Sequence, residues 1–501
     1  MALDPRTPVL VGGGQLSNRV DDGAAVLEPV DLIAEAARRA ASDSGAADAG
    51  AVLAAADAVR VVQLLSWRYR DPARLVAERI GAGRARTMYT TPGGNTPQAL
   101  VNRTCLDILA GTVDVVVIGG AEAWRTRMSY RGIGEKPEWT VEPDDAAPDD
   151  EFGGSMDMAS MVHPSELARG VLMPVQVYPM FESALRAESG ASHAEWAARL
   201  GRLWAGFSEV AAKNPHAWIQ DACSAEEIAT AGPANRMIGF PYPKLMNSNN
   251  SVEQGAALLL CSVAAAERLG IPRDRWVFPR AGTDGHDAAF VSNREDLRSS
   301  PAIRVAGNRC LSLAGVGVDD LAHVDLYSCF PSAVQIAAAE LGLGLDRRLT
   351  VTGGLSFAGG PWNNYVTHSI ATMAGVLREA PGAIGLVTGN GGFVTKHSFG
   401  VYGTEPPATP FRWEAPQKEI DAAYTPREVT DGVDADGAVE AYTVMHDRDG
   451  TPENGLAAVL LADGRRAWAT TPDAAVLAAM ESEEVVGRAA HVSADGALTL
   501  A

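Results

Sequence analysis

Short apolar runs alternate with longer amphipathic segments over the first 130 residues of the chain. Segments such as PVDLIAEAARRAASDSG have the spacing of helices, and AVRVV and TMYTT have the spacing of strands. Regular alternation of this kind predicts parallel strands joined by crossover helices. The run VDVVVIGG, residues 113–120, is apolar almost throughout, which indicates a strand covered on both faces. We predict an α/β unit over residues 1–128.

The regular alternation of strand-like and helix-like segments is lost over residues 129–242. This stretch begins with an acidic segment, EPDDAAPDDE, and continues with helical segments such as HAEWAARLGRLWAGFSEVAAK. Long excursions of this kind are uncommon inside compact domains unless they carry function. We interpret residues 129–242 as a loop domain, after which the strand and helix pattern resumes over residues 243–403.

The composition changes again after residue 403. A proline-bearing linker, EPPATPFRW, leads into alternating segments that are broken by DRDG and ADG turns. Such turns between alternating apolar segments are typical of antiparallel strands. We therefore predict a separate small antiparallel β-barrel over residues 404–501.

The two α/β segments share one detail. GGNTPQAL, residues 93–100, begins a helix that leads to VDVVVIGG, and GGPWNNYV, residues 359–366, begins a helix that leads to GAIGLVTGNGG. The simplest interpretation is a duplicated α/β unit with glycine-rich loops at matching helix starts. The alternative is a coincidence between two glycine loops.

Composition and charge narrow the function classes. The 501 residues are 47% apolar and 21% charged, enough for several structural units, and the formal net charge is −20. Such a charge argues against nucleic acid as the main partner but allows a small phosphorylated ligand on a local basic patch. No membrane span or signal peptide is visible, so we expect a cytoplasmic protein. Five cysteines without a CxxC pair suggest neither a disulfide framework nor a metal site.

Over residues 8–403 the order of these segments resembles the thiolase superfamily. That fold has two similar βαβαβαββ halves in a layered α-β-α-β-α arrangement, with a loop domain and an active site between the halves. VDLYSCFPSA, residues 324–333, is similar to the HDCF segment of sterol-carrier-type thiolases, and KLMNSNNSVEQGAALLL, residues 244–260, to the start of their second half. With its extra C-terminal, OB-like domain, the chain looks like the actinobacterial thiolase-like protein type 1 group.

The resemblance assigns positions to the thiolase chemistry, which cleaves or forms 3-ketoacyl-CoA. That chemistry needs a cysteine at a helix N-terminus, an activating histidine, a second cysteine and oxyanion donors. Counting back from Gly111, the nucleophile position falls on Gly94. The GGxxxxGHP and CxGxG motifs place Gly360 and Val387 where the family has histidine and cysteine, and Tyr327 stands at the position that holds an oxyanion water. Ordinary thiolase activity is predicted to be absent.

Other cysteines and histidines are candidate substitutes. Cys329, His368 and His397 are the possible replacements, although packing is the simpler role for Cys329, and backbone or Tyr365 is the expected partner of His368. His163 is a further candidate histidine, whose role is either structural or functional. Cys105, in VNRTC, lies too close to the following strand to be the nucleophile, and its helical stripe predicts a core residue.

The predicted ligand is CoA or an acyl-CoA, with no covalently bound cofactor. Backbone N–H groups of Gly94 and Gly389 are the expected oxyanion-type donors. The candidates for the CoA phosphates are basic residues: Arg127, Arg131, Lys136, Arg186, Lys213 and Lys244. VGGGQLS, residues 11–17, lacks the GxGxxG spacing of a dinucleotide-binding fold.

Three functional hypotheses follow from the sequence. The leading one is a thiolase-like protein that binds CoA or acyl-CoA without the usual cysteines and histidine. The alternatives are an acyltransferase with non-standard residues and a non-enzymatic scaffold or partner subunit in lipid metabolism. Pro92 lies in the segment by which thiolases dimerise, and it cannot donate a ladder hydrogen bond, so a monomer is slightly favoured over a homodimer.

Overall fold

The computed structural model describes residues 3–153 and 161–501. Along the chain, the strands are β1 (Pro8–Ser17), β2 (Ala58–Val61), β3 (Arg86–Thr90), β4 (Val115–Ala123), β5 (Asp150–Phe152), β6 (Met237–Gly239), β7 (Tyr242–Pro243), β8 (Glu253–Ser262), β9 (Phe278–His286), β10 (Leu321–Asp325), β11 (Ile384–Gly391), β12 (Lys396–Gly403), β13 (Arg412–Glu414), β14 (Val429–Thr430), β15 (Ala435–His446), β16 (Pro452–Leu461), β17 (Arg466–Thr471), β18 (Ala489–Val492) and β19 (Leu498–Leu500). The α-helices are α1 (Pro29–Asp43), α2 (Ala49–Ala54), α3 (Pro72–Arg79), α4 (Thr96–Ala110), α5 (Trp124–Gly132), α6 (Pro164–Ala168), α7 (Pro174–Ser189), α8 (His193–Ala211), α9 (Ala225–Ala229), α10 (Val263–Arg268), α11 (Asn308–Ala314), α12 (Pro331–Leu341), α13 (Gly354–Phe357), α14 (Tyr365–Glu379), α15 (Gln417–Ala422) and α16 (Ala474–Ser482).

The first half of the chain forms a mixed sheet with the strand order β1-β8-β4-β2-β3-β5. Strands β4, β2, β3 and β5 run parallel to one another, and β8 lies antiparallel between β1 and β4. Every residue of β4 and of β8 is buried, as expected for strands that are covered on both faces.

The second sheet repeats this arrangement. Its order is β10-β11-β12-β9-β13, and β9, β12, β11 and β10 take the places that β1, β8, β4 and β2 take in the first sheet. The pairings also match in direction: antiparallel, antiparallel and parallel in both sheets. The duplication inferred from the two glycine-led helices is confirmed.

Two helices fill the layer between the sheets. Helix α4 contacts β4 and β8 of the first sheet and β9, β11 and β12 of the second, and α14 contacts β1, β8 and β11. Helix α4 ends at Gly111, whose φ of 73° is the left-handed conformation that favours glycine. Helices α1 and α11 pack on the outer faces of the first and second sheets. The result is the predicted α-β-α-β-α layering.

The predicted boundary at residue 243 is wrong. Strand β8 pairs with β1 and β4, so it completes the first sheet instead of opening the second half. The loop region is therefore an insertion inside the first half. A continuous apolar run such as GAALLLC shows that a strand is buried but not which distant strands it pairs with.

The start of the insertion covers an edge of the first sheet. Strand β5 lies parallel to β3, with Met88, Tyr89 and Thr90 opposite residues 150–152. Strand β3 ends at Thr90, so Pro92 lies outside it. The sequence argument for a monomer was that Pro92 cannot donate to the strand ladder of this segment, and that reason is wrong because Pro92 follows the strand. What occupies the edge is a segment of the same chain.

The C-terminal region forms a third sheet with the order β14-β17-β16-β15-β18-β19. A backbone bridge between Thr470 and Ala497 links the β17 and β19 ends of this sheet. Strand β6 of the insertion adds to β15 through the pair Gly239 and Met445. Strand β13, which the sequence analysis placed in the C-terminal domain, pairs instead with β9 of the second sheet.

In residues 3–153 and 161–501, no helix is long and apolar enough to cross a membrane. The same residues contain no cluster of three or more histidine, cysteine, aspartate or glutamate side chains placed to hold a metal ion. All five cysteines are free thiols.

Candidate functional site

The two glycine loops meet between the sheets. The N–H of Gly93, just before α4, donates to Oδ1 of Asn363, just before α14, over 3.0 Å. The Asn363 amide in turn donates to the carbonyl of Gln63 over 3.0 Å. Gly389, near the end of β11, is packed so closely that a Cβ there would lie 2.9 Å from the Cα of Asn95. Gly94 and Gly389 thus belong to one small region, and the loop before α14 reaches it through Asn363.

The space beside Gly94 is occupied. A Cβ at this position would lie 2.4 Å from the carbonyl oxygen of Asn390 and 2.4 Å from the hydroxyl of Tyr327. Contacts this short are excluded for real side chains without movement of the backbone or of the tyrosine. The position that the resemblance assigns to the nucleophile therefore has no room for a side chain.

The space beside Gly360 is filled in a similar way. A Cβ there would lie 2.1 Å from Oγ of Ser248 and 2.8 Å from Oδ1 of Asn250. The Ser248 hydroxyl donates to Asn250 over 2.7 Å, and the Gly360 N–H donates to the Asn249 carbonyl over 2.9 Å. Short polar side chains and backbone therefore occupy the volume that the family's histidine would need.

The Tyr327 side chain is the polar group that the fold places at Gly94. Its backbone N–H donates to Oγ1 of Thr388 over 2.9 Å, and its ring packs edge-on against Tyr365 at 5.6 Å. Burial raises the pKa of Tyr327 well above its usual value, so the hydroxyl is a neutral donor at physiological pH. Within the described residues, neither the Tyr327 hydroxyl nor the Gly94 N–H makes a hydrogen bond to any partner.

Val387 lies in β11 and is fully buried. It faces Gly400 of β12 and Asp325 of β10 across the second sheet. Its side chain carries no titratable group and joins the large hydrophobic core between and below the sheets. A valine side chain thus packs at the position where the resemblance assigns a cysteine.

Cys329 is a buried thiol. Its side chain is 7% exposed, and burial raises its pKa to about 12. A thiolate is the nucleophilic form of cysteine, so this thiol is poorly reactive near neutral pH. Cys105 is fully buried in α4 within the hydrophobic core, which confirms the prediction made from its helical stripe.

The candidate histidines are held in separate places. His368 lies with Nδ1 2.9 Å from Oε1 of Gln15, and burial lowers its pKa to about 3. Its partner is therefore Gln15 and not Tyr365, because the Tyr365 hydroxyl bonds Thr352 over 2.6 Å. The imidazole is neutral at physiological pH.

His397 and His163 have local structural partners. Nε2 of His397 lies 3.1 Å from the Val394 carbonyl, and the side chain is 2% exposed. His163 precedes α6, and its Nδ1 accepts from the N–H of Ser165 over 3.2 Å, so it caps that helix. His397 lines a small cavity together with Tyr327, Gly389 and Asn390, whereas His163 is not part of that lining.

The six basic candidates for the CoA phosphates differ in exposure. Arg131, Lys136, Lys213 and Lys244 are exposed, and Arg127 is half-buried with its guanidinium 5.8 Å from the Trp67 ring centroid. Arg186 is 4% exposed, and its guanidinium donates to both carboxylate oxygens of Glu484 over 2.8 Å. Arg186 joins the insertion to the C-terminal domain and is not placed to meet a phosphate.

Lys396 is a site residue that the sequence analysis missed. Its Nζ donates to the Pro92 carbonyl over 2.9 Å and lies 3.3 Å from the Cβ position of Gly93. Burial lowers the pKa of this amine. The sequence signal that could have identified Lys396 is the alternation of side chains along a strand. Lys396 and His397 are neighbours in β12, so their side chains must point to opposite faces.

Comparison with known proteins identifies related chains. The family model described as "Thiolase-like protein type 1 additional C-terminal domain" matches residues 416–497. A solved monomeric SCP2-thiolase like protein type 1 from Mycobacterium smegmatis is 35% identical, with a TM-score of 0.84 and complete coverage of both chains.

Two more distant relatives carry the name acetyl-CoA acetyltransferase. The Methanocaldococcus jannaschii protein is 20% identical over 271 residues, which span 54% of this chain and 60% of the relative. The solved structure from Syntrophomonas wolfei is 17% identical with a TM-score of 0.56 and covers 80% of this chain and 99% of its own. The extra residues of this chain include the C-terminal domain matched by the family model.

Proposed function

Because the chain belongs to the thiolase-like protein type 1 family, we propose that it binds CoA or an acyl-CoA without catalysing thiolysis or Claisen condensation by the usual cysteines and histidine. The distant relatives named acetyl-CoA acetyltransferase share its fold and support a CoA thioester as the ligand class. The proposed site is the junction of the two halves, where α4 and α14 begin. Since the Tyr327 hydroxyl and the Asn390 carbonyl fill the space beside Gly94, the Tyr327 ring has to move aside for the acyl group to enter.

The observation that carries this proposal is the pair of free polar groups at Gly94. The Gly94 N–H lies two residues before buried helix α4, and the Tyr327 hydroxyl lies beside the same residue, 2.4 Å from its Cβ position. A helix start and a neutral hydroxyl are both suited to hold a carbonyl oxygen. They bind the thioester oxygen but supply no nucleophile.

The absence of a thiol explains why binding is proposed without turnover. A Claisen enzyme forms an acyl-cysteine and moves a proton with a second acid or base. Gly94 and Val387 carry no such group, and the nearest motif cysteine, Cys329, has a pKa of about 12. The proposed protein therefore retains the acyl-CoA unchanged.

Isothermal titration with CoA and acetyl-CoA tests the proposal. We expect saturable binding of both, with Tyr327→Phe weakening acetyl-CoA about three- to tenfold more than CoA, because one hydrogen bond to the thioester oxygen is lost. Tyr424→Phe, which changes a half-buried tyrosine far along the chain, is the matched control. A protein that binds neither CoA nor acetyl-CoA would contradict the proposal.

The phosphate end of the ligand is tested separately. We propose that Arg127, Arg131 and Lys136, on and after α5, contact the CoA phosphates. Changing the three to alanine should weaken CoA and acetyl-CoA equally and reduce the salt dependence of binding. Lys418→Ala is the control for a loss of positive charge elsewhere.

Thiolysis of acetoacetyl-CoA by wild-type protein, abolished by one substitution in the site, would overturn the claim of no turnover.

A further inference from the structure

A second polar cavity lies at the opposite end of the first sheet from Gly94. It has a volume of about 160 Å³ and lies where β2 and β3 begin and α4 ends. Its walls are formed by residues from β2, β3, β5, α4 and the turn after α4. They include Ala58, Arg60, Arg86, Arg103, Asp107 and Asp150. None of these residues belongs to the proposed acyl-CoA site.

Arg60 is the buried base of this cavity. Its guanidinium is 4% exposed and donates to Asp107 over 2.5 Å and to Oγ1 of Thr104 over 2.8 Å. Within the described residues these are two of the five N–H donors of an arginine. Burial lowers the pKa of Arg60, while the adjacent Asp107 carboxylate opposes that shift, so the charge is retained. The side chain is fixed in position and keeps donors available for a ligand.

Asp107 is already shared between two arginines. One carboxylate oxygen accepts from Arg60, and the other accepts from Nε of Arg103 over 2.9 Å. One negative charge thus balances two positive ones at this end of α4. The C-terminal end of the helix adds partial negative charge that reduces this excess, so the attraction for an anion depends on a third arginine.

Arg86 provides that third positive charge. It begins β3, is exposed, and its guanidinium has no acceptor in residues 3–153 and 161–501. Asp150, at the start of β5, is the second carboxylate in the cavity wall. Three guanidinium groups and two carboxylates give the cavity lining a formal charge of +1 on a chain whose net charge is −20, and the Asp149 carboxylate outside the lining also interacts with Arg86.

The volume of the cavity and the directions of its hydrogen-bond donors indicate the class of ligand. A cavity of 160 Å³ is well below the roughly 300 Å³ at which pockets for drug-sized ligands begin, so CoA does not fit. The three arginines come from β2, β3 and α4, so their donors approach from different directions. A tetrahedral oxyanion offers oxygens in several directions, whereas a carboxylate offers two in one plane.

We propose that this cavity is a binding site for a small tetrahedral oxyanion, either inorganic phosphate or the phosphate group of a small ester, held by Arg60, Arg86 and Arg103. Binding therefore stabilises the folded chain by mass action.

Titration calorimetry with inorganic phosphate, at constant ionic strength maintained with sodium chloride, tests the site. We expect saturable binding that is weakened at least tenfold in the double variant Arg86→Ala/Arg103→Ala. Arg84→Ala, an exposed arginine two residues before Arg86 that does not line the cavity, should bind phosphate as the wild type does. The double variant removes only exposed side chains, so it should remain folded, and its circular dichroism spectrum checks this.

Further ligands define the oxyanion class and its source. Sulfate should compete with phosphate, acetate should not, and glycerol 3-phosphate should bind more tightly than phosphate if the natural ligand is an ester. The substitution Arg86→Lys/Arg103→Lys keeps the charge but removes the planar guanidinium fork, so it should restore only part of the affinity. Phosphate binding that is absent in the wild type, unchanged in the alanine double variant, or matched by acetate would overturn the proposal. CoA titration of the same variants separates this result from the acyl-CoA site.

Discussion

At the scale of single residues, other groups fill the space beside two glycines of the candidate site. Where the thiolase resemblance assigns a nucleophile and a histidine, this chain has Gly94 and Gly360, and other groups fill the space beside both. The Tyr327 hydroxyl and a backbone carbonyl fill the first position, and Ser248 fills the second. Because protein interiors are close-packed, restoring a catalytic side chain requires changes in its neighbours as well.

The substitution Gly94→Ala tests this packing. A methyl group at residue 94 would lie 2.4 Å from the Asn390 carbonyl and from the Tyr327 hydroxyl, so we expect a loss of about 1–3 kcal/mol in the free energy of unfolding. Adding Tyr327→Phe should recover part of the loss, since the hydroxyl contact disappears while the carbonyl contact remains.

Urea denaturation followed by circular dichroism measures the effect of Gly94→Ala. The control is Gly83→Ala, because a Cβ at Gly83 meets no atom within 4 Å. Equal stability of the two alanine variants would show that the site is open instead of filled.

At the scale of secondary-structure elements, the covered edge of the first sheet is the distinguishing feature. An exposed edge strand presents unpaired N–H and C=O groups that can pair with a second chain. Here β5 takes that place on β3, and the Thr91 N–H donates to the Phe152 carbonyl over 2.9 Å. The Mycobacterium smegmatis relative is described as monomeric, in agreement with an edge that is closed within the chain.

Removing β5 from the edge should promote self-association. In Phe152→Pro the new residue cannot donate to the ladder, so β5 should detach and leave β3 free to pair with a second copy. Size-exclusion chromatography with light scattering should then show a concentration-dependent dimer.

The matched variant Phe152→Ala keeps the backbone N–H and should elute as the wild type does. A strictly monomeric Phe152→Pro protein would mean that β5 is not what prevents pairing at this edge.

At the scale of the whole molecule, the C-terminal domain is anchored to the thiolase-like body. Arg466 of β17 is fully buried, donates to both carboxylate oxygens of Glu440 over 2.6 Å, and reaches the carbonyls of Ser292 and Arg294 over 2.6 and 2.8 Å. The Trp468 indole also donates to Ser292 over 2.7 Å. A linker alone would have left the domain mobile, whereas these contacts fix it.

The substitution Arg466→Met should therefore destabilise the protein strongly. It leaves a partly buried Glu440 carboxylate and several buried carbonyls without their donor, and breaking such a pair costs about 3 kcal/mol or more. Denaturation monitored by tryptophan fluorescence, together with limited proteolysis between the body and the C-terminal domain, measures the effect.

The neighbouring Arg465 supplies a control for the whole-molecule prediction. It is partly exposed and paired with Asp463, so Arg465→Met should cost less than about 1 kcal/mol. If the two methionine variants have the same stability and the same cleavage pattern, Arg466 does not anchor the domain.

The chain by itself determined the order of strands and helices and the duplication, whereas the assignment of Gly94, Gly360 and Val387 to the family's catalytic positions stays a prediction. These depend on local periodicity and motif spacing, which can be read in chain order. The burial of Cys105 followed from the same kind of pattern and is confirmed.

Only the tertiary structure decided which distant segments meet. It assigned β8 to the first sheet and β5 to its edge, paired His368 with Gln15, and used Arg186 for Glu484 in place of a ligand. It also brought Tyr327 to Gly94 from more than 200 residues away along the chain. Pairing, charge partners and filled space depend on contacts between remote residues, and no local pattern in one sequence records them.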